Sequence, residues 1–235
     1  MDLAVHREKW REVPGGSDTD GRIFSSDLLG LPDADLLAFW ERMAERRLTE
    51  ELGWIDVLYR DFFAGKCVLD VGSGLGLNGM RFASLGADWV FADIAPGNLE
   101  LLRRIAALKG LRPAFHLIGD DLSFDGLGEF DAVFACGSLH HVPLDLARRE
   151  CAQIARHLKP KARWIELVYP RERWMREGCP AFGDWGRMTD GDRTPWAEWY
   201  DADKLRARLD PLTFRTILDF TFREQHFRWL DLERL

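Results

Sequence analysis

The stretch Cys67-Val68-Leu69-Asp70-Val71-Gly72-Ser73-Gly74-Leu75-Gly76 decides the fold. A short apolar run ended by glycines reads as a strand buried on both faces. A helix is expected behind it to about Leu85, stopped by Gly86. Gly72, Gly74 and Gly76 permit a tight turn and let a ligand lie against bare backbone. The helix then offers free N–H groups and the positive end of its dipole to that ligand. No Gly-Lys-Ser/Thr follows, so this is not a P-loop. A dinucleotide fingerprint needs its third glycine at position 77, which is Leu77.

Working outward, strands and helices alternate. Trp89-Val90-Phe91-Ala92 reads as the second strand, and Leu99, Leu102, Ile105 and Ala106 mark a helix closed by Lys109-Gly110. Ala114 to Ile118 and Phe130 to Ala135 are the third and fourth strands. The stripe Leu144, Ala147, Cys151, Ile154 and Leu158 is a helix closed by Lys159-Pro160, and Arg163 to Tyr169 is a fifth strand. This rhythm predicts a parallel sheet covered by helices on both faces, with right-handed crossovers. A Trp- and Arg-rich insert at 170–200 breaks it, a short helix follows from about Asp201, and 213–222 with 226–232 read as an antiparallel hairpin. On the other side, two amphipathic helices begin after Asp33, and residues 1–33 read as irregular, with turn chemistry throughout 14–21. The division expected is a flexible arm or lid at 1–34, then one domain at 35–235.

Composition narrows the function. A chain of 235 residues builds a core without disulfides, and its four cysteines lie at no metal-ligand or C-x-x-C spacing. Neither metal nor disulfide is expected, and the chain reads as cytoplasmic. A net charge of −7 argues against nucleic acid as a primary partner. No apolar run approaches the roughly 20 residues of a membrane span, and the first residues lack the apolar stretch of a signal peptide.

Three acids stand at the carboxyl ends of consecutive strands, the edge at which open α/β sheets bind ligands: Asp70, Asp93 and Asp120. Asp93 can accept from both hydroxyls of a ribose, and Asp120, in Ile118-Gly119-Asp120-Asp121-Leu122, from an adenine amino group.

With Ala92-Asp93-Ile94, Gly119-Asp120-Asp121 and Phe130-Asp131-Ala132-Val133…Leu139-His140-His141-Val142 added to the glycine loop, the chain from about 35 onward resembles the Rossmann-like (class I) S-adenosylmethionine-dependent methyltransferases of the small-molecule type. The resemblance implies an α/β fold with a seven-stranded, mostly parallel sheet in the order 3-2-1-4-5-7-6, and S-adenosyl-L-methionine as cofactor. It implies that Gly72 and Gly74 border the methionine part, held by Asp70 through water or backbone, that Asp93 meets the ribose, and that Gly76 and Ile94 also belong to the cofactor site. Asp120, Asp121 and Leu122 would surround the adenine, and Cys136 and Gly137 would offer backbone to the cofactor amino group.

Methyl transfer to an alcohol needs the acceptor placed in line and its proton removed. His141, His140 and Tyr169 are the candidates, with His6 on the arm a further one. Trp174, Trp196 and Trp199 with Arg171 and Arg173 are expected to wall and grip the acceptor, a small molecule such as a sugar derivative or natural-product intermediate. The insert's aromatics could equally form a satellite core on the sheet edge. A nicotinamide-dependent oxidoreductase and a non-catalytic cofactor-binding protein are the alternative functions. Nothing in the sequence sets the oligomeric state.

Overall fold

The computed structural model describes residues 3–14 and 21–235; most of the turn-rich stretch at 14–21 lies outside the described residues. Nine strands are described: β1 (Glu12–Pro14), β2 (Arg22–Phe24), β3 (Cys67–Val71), β4 (Asp88–Asp93), β5 (Ala114–Leu117), β6 (Phe130–Cys136), β7 (Leu158–Val168), β8 (Phe214–Phe222) and β9 (Phe227–Arg234). Ten α-helices accompany them: α1 (Leu3–Lys9), α2 (Ser25–Leu29), α3 (Asp33–Arg46), α4 (Gly53–Phe63), α5 (Leu77–Ser84), α6 (Pro96–Leu108), α7 (Leu144–Ala155), α8 (Arg171–Arg176), α9 (Phe182–Asp190) and α10 (Ala202–Arg208). Apart from the small β1–β2 pair, the strands run in one seven-stranded sheet in the order β5-β4-β3-β6-β7-β9-β8, as the resemblance implied.

The chain divides into two compact units, residues 10–117 and residues 1–9 with 118–235. In the first, β3, β4 and β5 pair in parallel, with Asp70 beside Phe91 and Phe91 beside Phe115. Helices α5 and α6 bury Met80, Phe82, Leu101, Leu102 and Ile105. Phe63, Phe82 and Trp89 close one end, with Phe63 edge-on to Phe82 at 4.7 Å and Phe82 stacked on Trp89 at 5.6 Å. Gly79 lets α5 lie this close: a Cβ there would stand 2.3 Å from Trp89 Nε1 and 2.4 Å from Phe91 Cε1.

In the second unit β6 and β7 pair in parallel, and β9 lies antiparallel to both β7 and β8. Helix α7 buries Ala147, Cys151 and Ile154, the stripe read from sequence. Arg208 on α10 is fully buried and donates from Nη1 to Glu166 of β7 at 3.1 Å.

Two readings change. Lys159-Pro160 does not end a helix but lies in β7, which starts five residues before Arg163. The register there jumps from Phe130 opposite Leu158 to Ala132 opposite Arg163, and Lys161 takes φ 63°. An irregularity of this kind is where a strand tolerates a proline, which has no N–H for the ladder. The N-terminal stretch is also less irregular than its turn residues indicated. It carries α1, α2 and the antiparallel β1–β2 pair, with His6 and Lys9 of α1 buried. Seven residues of mixed polarity make a marginal helix on their own, so packing decides this one.

Candidate functional site

In the unit of residues 10–117 the glycine loop joins β3 to α5. Gly72, Gly74 and Gly76 take φ of 70°, 53° and 60°, the left-handed region that other residues enter only under strain. The loop is tied to the end of β4, where Gly72 N donates to Ala92 O at 2.8 Å and the Ser73 hydroxyl reaches the same oxygen at 3.2 Å, and back to β3, where that hydroxyl reaches Asp70 O at 2.9 Å. A Cβ on Gly74 would meet nothing within 4 Å, so its outer face is open backbone.

Asp70 and Asp93 stand on either side of this loop in the parallel β3–β4 pair, and both are buried. Asp70 accepts from Trp89 Nε1 at 3.0 Å; burial, with Asp93 adding repulsion, pushes its carboxyl up to about 7. Asp93 accepts from Ala95 N at 2.8 Å, Asn98 Nδ2 at 3.2 Å and Gly74 N at 3.3 Å. Burial outweighs those donors and raises it to about 6. Ile94 follows, half-buried. Open glycine backbone beside a buried acid suits the amino-acid and ribose parts of the cofactor, so these residues fit the group the resemblance implied.

The unit of residues 1–9 and 118–235 holds the other candidates. Asp120 is solvent-exposed, and its Oδ1 accepts from Arg7 Nη2 of α1 at 2.8 Å. Asp121 caps its own turn, accepting from Ser123 N at 3.1 Å, and Leu122 is buried with φ 56°. Cys136 ends β6 half-buried, and Gly137 takes φ 82° with its N–H on Leu167 O at 3.3 Å.

His140, His141 and Tyr169 come together. The His140 ring centroid lies 4.2 Å from that of His141 and 4.3 Å from that of Tyr169. Asp190, at the end of α9, joins them: its Oδ2 accepts from Tyr169 OH at 2.7 Å and lies 3.5 Å from His141 Nε2. His141 Nδ1 stands 3.0 Å from Trp196 O, so that nitrogen carries the proton. His140 differs. It is 1% exposed and neither ring nitrogen has a hydrogen-bond partner. Burial, reinforced by His141, pushes its pKa well below the ordinary value and keeps the ring neutral.

The insert residues form an aromatic cluster around Tyr169 and Trp185, with Trp174, Phe182, Trp199 and Phe227 packed against it. Arg171 stacks over Trp199 at 5.4 Å and Arg173 over Tyr169 at 4.4 Å. Arg173 also donates to Glu177 at 3.0 Å, and Trp174 Nε1 donates to Pro180 O at 2.9 Å. Trp196 packs edge-on against Phe182 at 5.5 Å. Sequence reasoning missed Asp190, one of six acids in the insert with nothing in its spacing to single it out, and Trp89, read only as strand filler. Among the described residues no cluster fits a metal ion, and no helix is long and apolar enough to cross a membrane.

A methyltransferase-domain family model matches residues 68–161. A ubiquinone biosynthesis O-methyltransferase of Ruegeria pomeroyi is 30% identical over 181 residues, covering 71% of this chain and 68% of the relative. A protein of the same description from Xanthomonas axonopodis pv. citri is 37% identical over 99 residues, covering 41% of this chain. That match spans only 40% of the Xanthomonas protein's own length. Among solved structures, magnesium protoporphyrin IX methyltransferase from Synechocystis PCC 6803 with bound SAH superposes with a TM-score of 0.61 at 18% identity, over 100% of both chains. The chain belongs to the class I S-adenosylmethionine-dependent methyltransferase family.

Proposed function

We propose that this protein transfers the methyl group of S-adenosyl-L-methionine to an oxygen of a small-molecule acceptor, with nitrogen as the second possibility. The observation that carries the reading is the left-handed glycine loop flanked by the buried carboxyls of Asp70 and Asp93. Leu77 in place of a third fingerprint glycine speaks against a nicotinamide cofactor, and oxygen is favoured by the relatives described as O-methyltransferases.

When bound, the cofactor supplies an electrophilic methyl on a sulfonium, already joined to a good leaving group. The chain's own residues then have three tasks. The backbone of Gly72 and Gly74 would hold the amino-acid part, and Asp93 the ribose. Asp120, Asp121 and Leu122 would border the adenine, and Cys136 with Gly137 would offer backbone to the amino group. The acceptor proton would pass to an imidazole. His141 is committed at Nδ1 to Trp196 O and faces Asp190 with Nε2, whereas His140 is neutral with both nitrogens unpartnered. His141 is the base in this reading, with Asp190 beside Nε2 to favour the imidazolium that forms, while the depressed pKa of His140 leaves that ring a neutral packing partner. Trp174, Trp196 and Trp199, with Arg171 and Arg173, wall the acceptor, and so aromatic a wall favours a natural-product intermediate over a sugar derivative. The arm at 1–34, one domain at 35–235 and a cytoplasmic setting belong to the same proposal.

Calorimetry with S-adenosylmethionine, S-adenosylhomocysteine and NAD tests the class; binding of NAD alone would overturn it. Once a screen of candidate acceptors finds turnover, His141→Ala is expected to lower kcat by about 10²–10⁴-fold, the range of a lost general base, with cofactor affinity unchanged. Full activity in that variant would leave positioning alone as the mechanism.

A further inference from the structure

Residues 196–200 lie between α9 and α10 and give their backbone groups to the residues just described, all within one compact unit. Glu198 N donates to His140 O at 2.9 Å, Tyr200 N to Tyr169 O at 2.9 Å and Ala197 N to Phe182 O at 3.0 Å. The Trp196 carbonyl takes the Nδ1 proton of His141 across 3.0 Å. Helix α9 packs directly on this segment: a Cβ on Gly186 would stand 2.7 Å from the Trp196 carbonyl carbon. The same helix ends in Asp190, whose Oδ2 lies 3.5 Å from His141 Nε2. The two nitrogens of His141 therefore face two elements that touch each other at Gly186.

Which nitrogen of a neutral histidine carries the proton is set by the bond its other nitrogen makes. A solvated imidazole prefers the proton on Nε2, so keeping it on Nδ1 takes an acceptor that stays in place. Glu198 is the one charged residue of segment 196–200, and it is buried. Its Oε2 accepts from Trp196 Nε1 at 3.1 Å, and its Oε1 pairs with Lys204 Nζ of α10 at 2.7 Å. Lys204 is itself held over the Trp199 ring, 4.0 Å from the centroid. The carboxylate thus ties the indole of Trp196, whose carbonyl meets His141, to a cation fixed on a helix. Support of this kind is what holds a reacting side chain in one geometry before a ligand arrives.

We propose that Glu198 is a positioning residue for the base: it anchors Trp196 so that the Trp196 carbonyl keeps the His141 proton on Nδ1 and the Nε2 lone pair is presented to the acceptor. The inference rests on reading His141 as that base. Glu198 acts through Trp196 and touches no reacting atom.

Long-range ¹H–¹⁵N NMR on the histidine-labelled, ligand-free protein reads the tautomer, with His141 assigned by the signal lost in His141→Gln. Above the pH at which the ring loses its charge, His141 in the unaltered protein should carry its proton on Nδ1. Glu198→Ala should lower the ratio of Nδ1–H to Nε2–H by about 3- to 10-fold, the worth of one net hydrogen bond. Glu198→Gln keeps an oxygen for the Trp196 indole and should restore most of that ratio. An unchanged ratio in Glu198→Ala would overturn the proposal. Should that variant lose its fold, Trp196→Phe decides, since it keeps a ring against Phe182 and removes the N–H that reaches Glu198. The same fall in the ratio there supports the positioning role, and an unchanged ratio overturns it. With an acceptor in hand, kcat of Glu198→Ala should fall by the same factor while KM holds; an unchanged kcat beside a shifted tautomer would overturn the link to the reaction. Failure of the methyltransferase reading would appear separately, as absence of S-adenosylhomocysteine binding, which the NMR measurement does not use.

Discussion

Asp93 and Asp120 were read alike from sequence, yet the protein treats them in opposite ways. Asp93 is 3% exposed, holds three neutral N–H donors and has its pKa raised to about 6. Asp120 is 81% exposed at its side chain and meets one guanidinium. The first is a rigid, preorganised acceptor, already desolvated, whose donors fix its orientation before any ligand arrives. The second is a hydrated carboxylate on a loop, free to exchange partners. Position at a strand end marks where a ligand can bind, but burial sets how much each acid is worth.

The largest effect expected from this contrast is at Asp93. Asp93→Ala should weaken S-adenosylhomocysteine binding by about 1.5–3 kcal/mol, the scale of hydrogen bonds to a charged group, or about 10- to 150-fold in Kd. Isothermal calorimetry reads it directly, and unchanged affinity would remove the ribose assignment and the contrast with it.

Next comes Trp89→Phe. It keeps most of the packing against Phe63 and Phe82 but removes the indole donor from Asp70. A buried acceptor left without its partner costs about 1–3 kcal/mol, and each kcal/mol lowers Tm by about 2–4 °C in a chain of this size. A thermal melt unchanged within a degree would mean that Asp70 finds another donor.

The same pair of acids sets a pH dependence. Folding raises Asp70 from 3.8 to about 7 and Asp93 from 3.8 to about 6. The folded state therefore holds protons that the unfolded chain has released. Their stabilising contribution is complete below pH 3.8 and is lost as pH rises through about 6 and then 7. Against the background of other groups, Asp70→Asn should gain stability relative to the unaltered protein as pH rises from 4 to 7, measured as the difference in Tm. A difference that does not vary with pH would show that Asp70 is ionised throughout.

The contrast also explains what could be read from sequence. The glycine loop was legible because its information is contiguous: a strand, three glycines and a helix within one short stretch, followed by an acid at the end of the next strand. The sheet followed from the same alternation. Asp190 was not legible, because its role comes from folding α9 back so that its carboxylate meets Tyr169 and His141. The burial of His6 was hidden for a similar reason, since a seven-residue helix is specified by its packing and hardly by its own sequence. Trp89 looked like strand filler because its apolar ring accounts for its place; the N–H that serves Asp70 adds no pattern of its own.

The smallest effect is at Asp120, and it is the one that most sharpens the comparison. The exposed Asp120–Arg7 pair gives up little hydration and is screened by salt. Asp120→Ala should therefore cost less than about 1 kcal/mol of S-adenosylhomocysteine affinity, under about fivefold in Kd, well below the loss at Asp93. A loss of affinity as large as that of Asp93→Ala would mean that ligand binding buries Asp120. Exposure in the free protein would then be a poor guide to the worth of an acid at a strand end, and the distinction drawn between the two carboxyls would hold only before the ligand arrives.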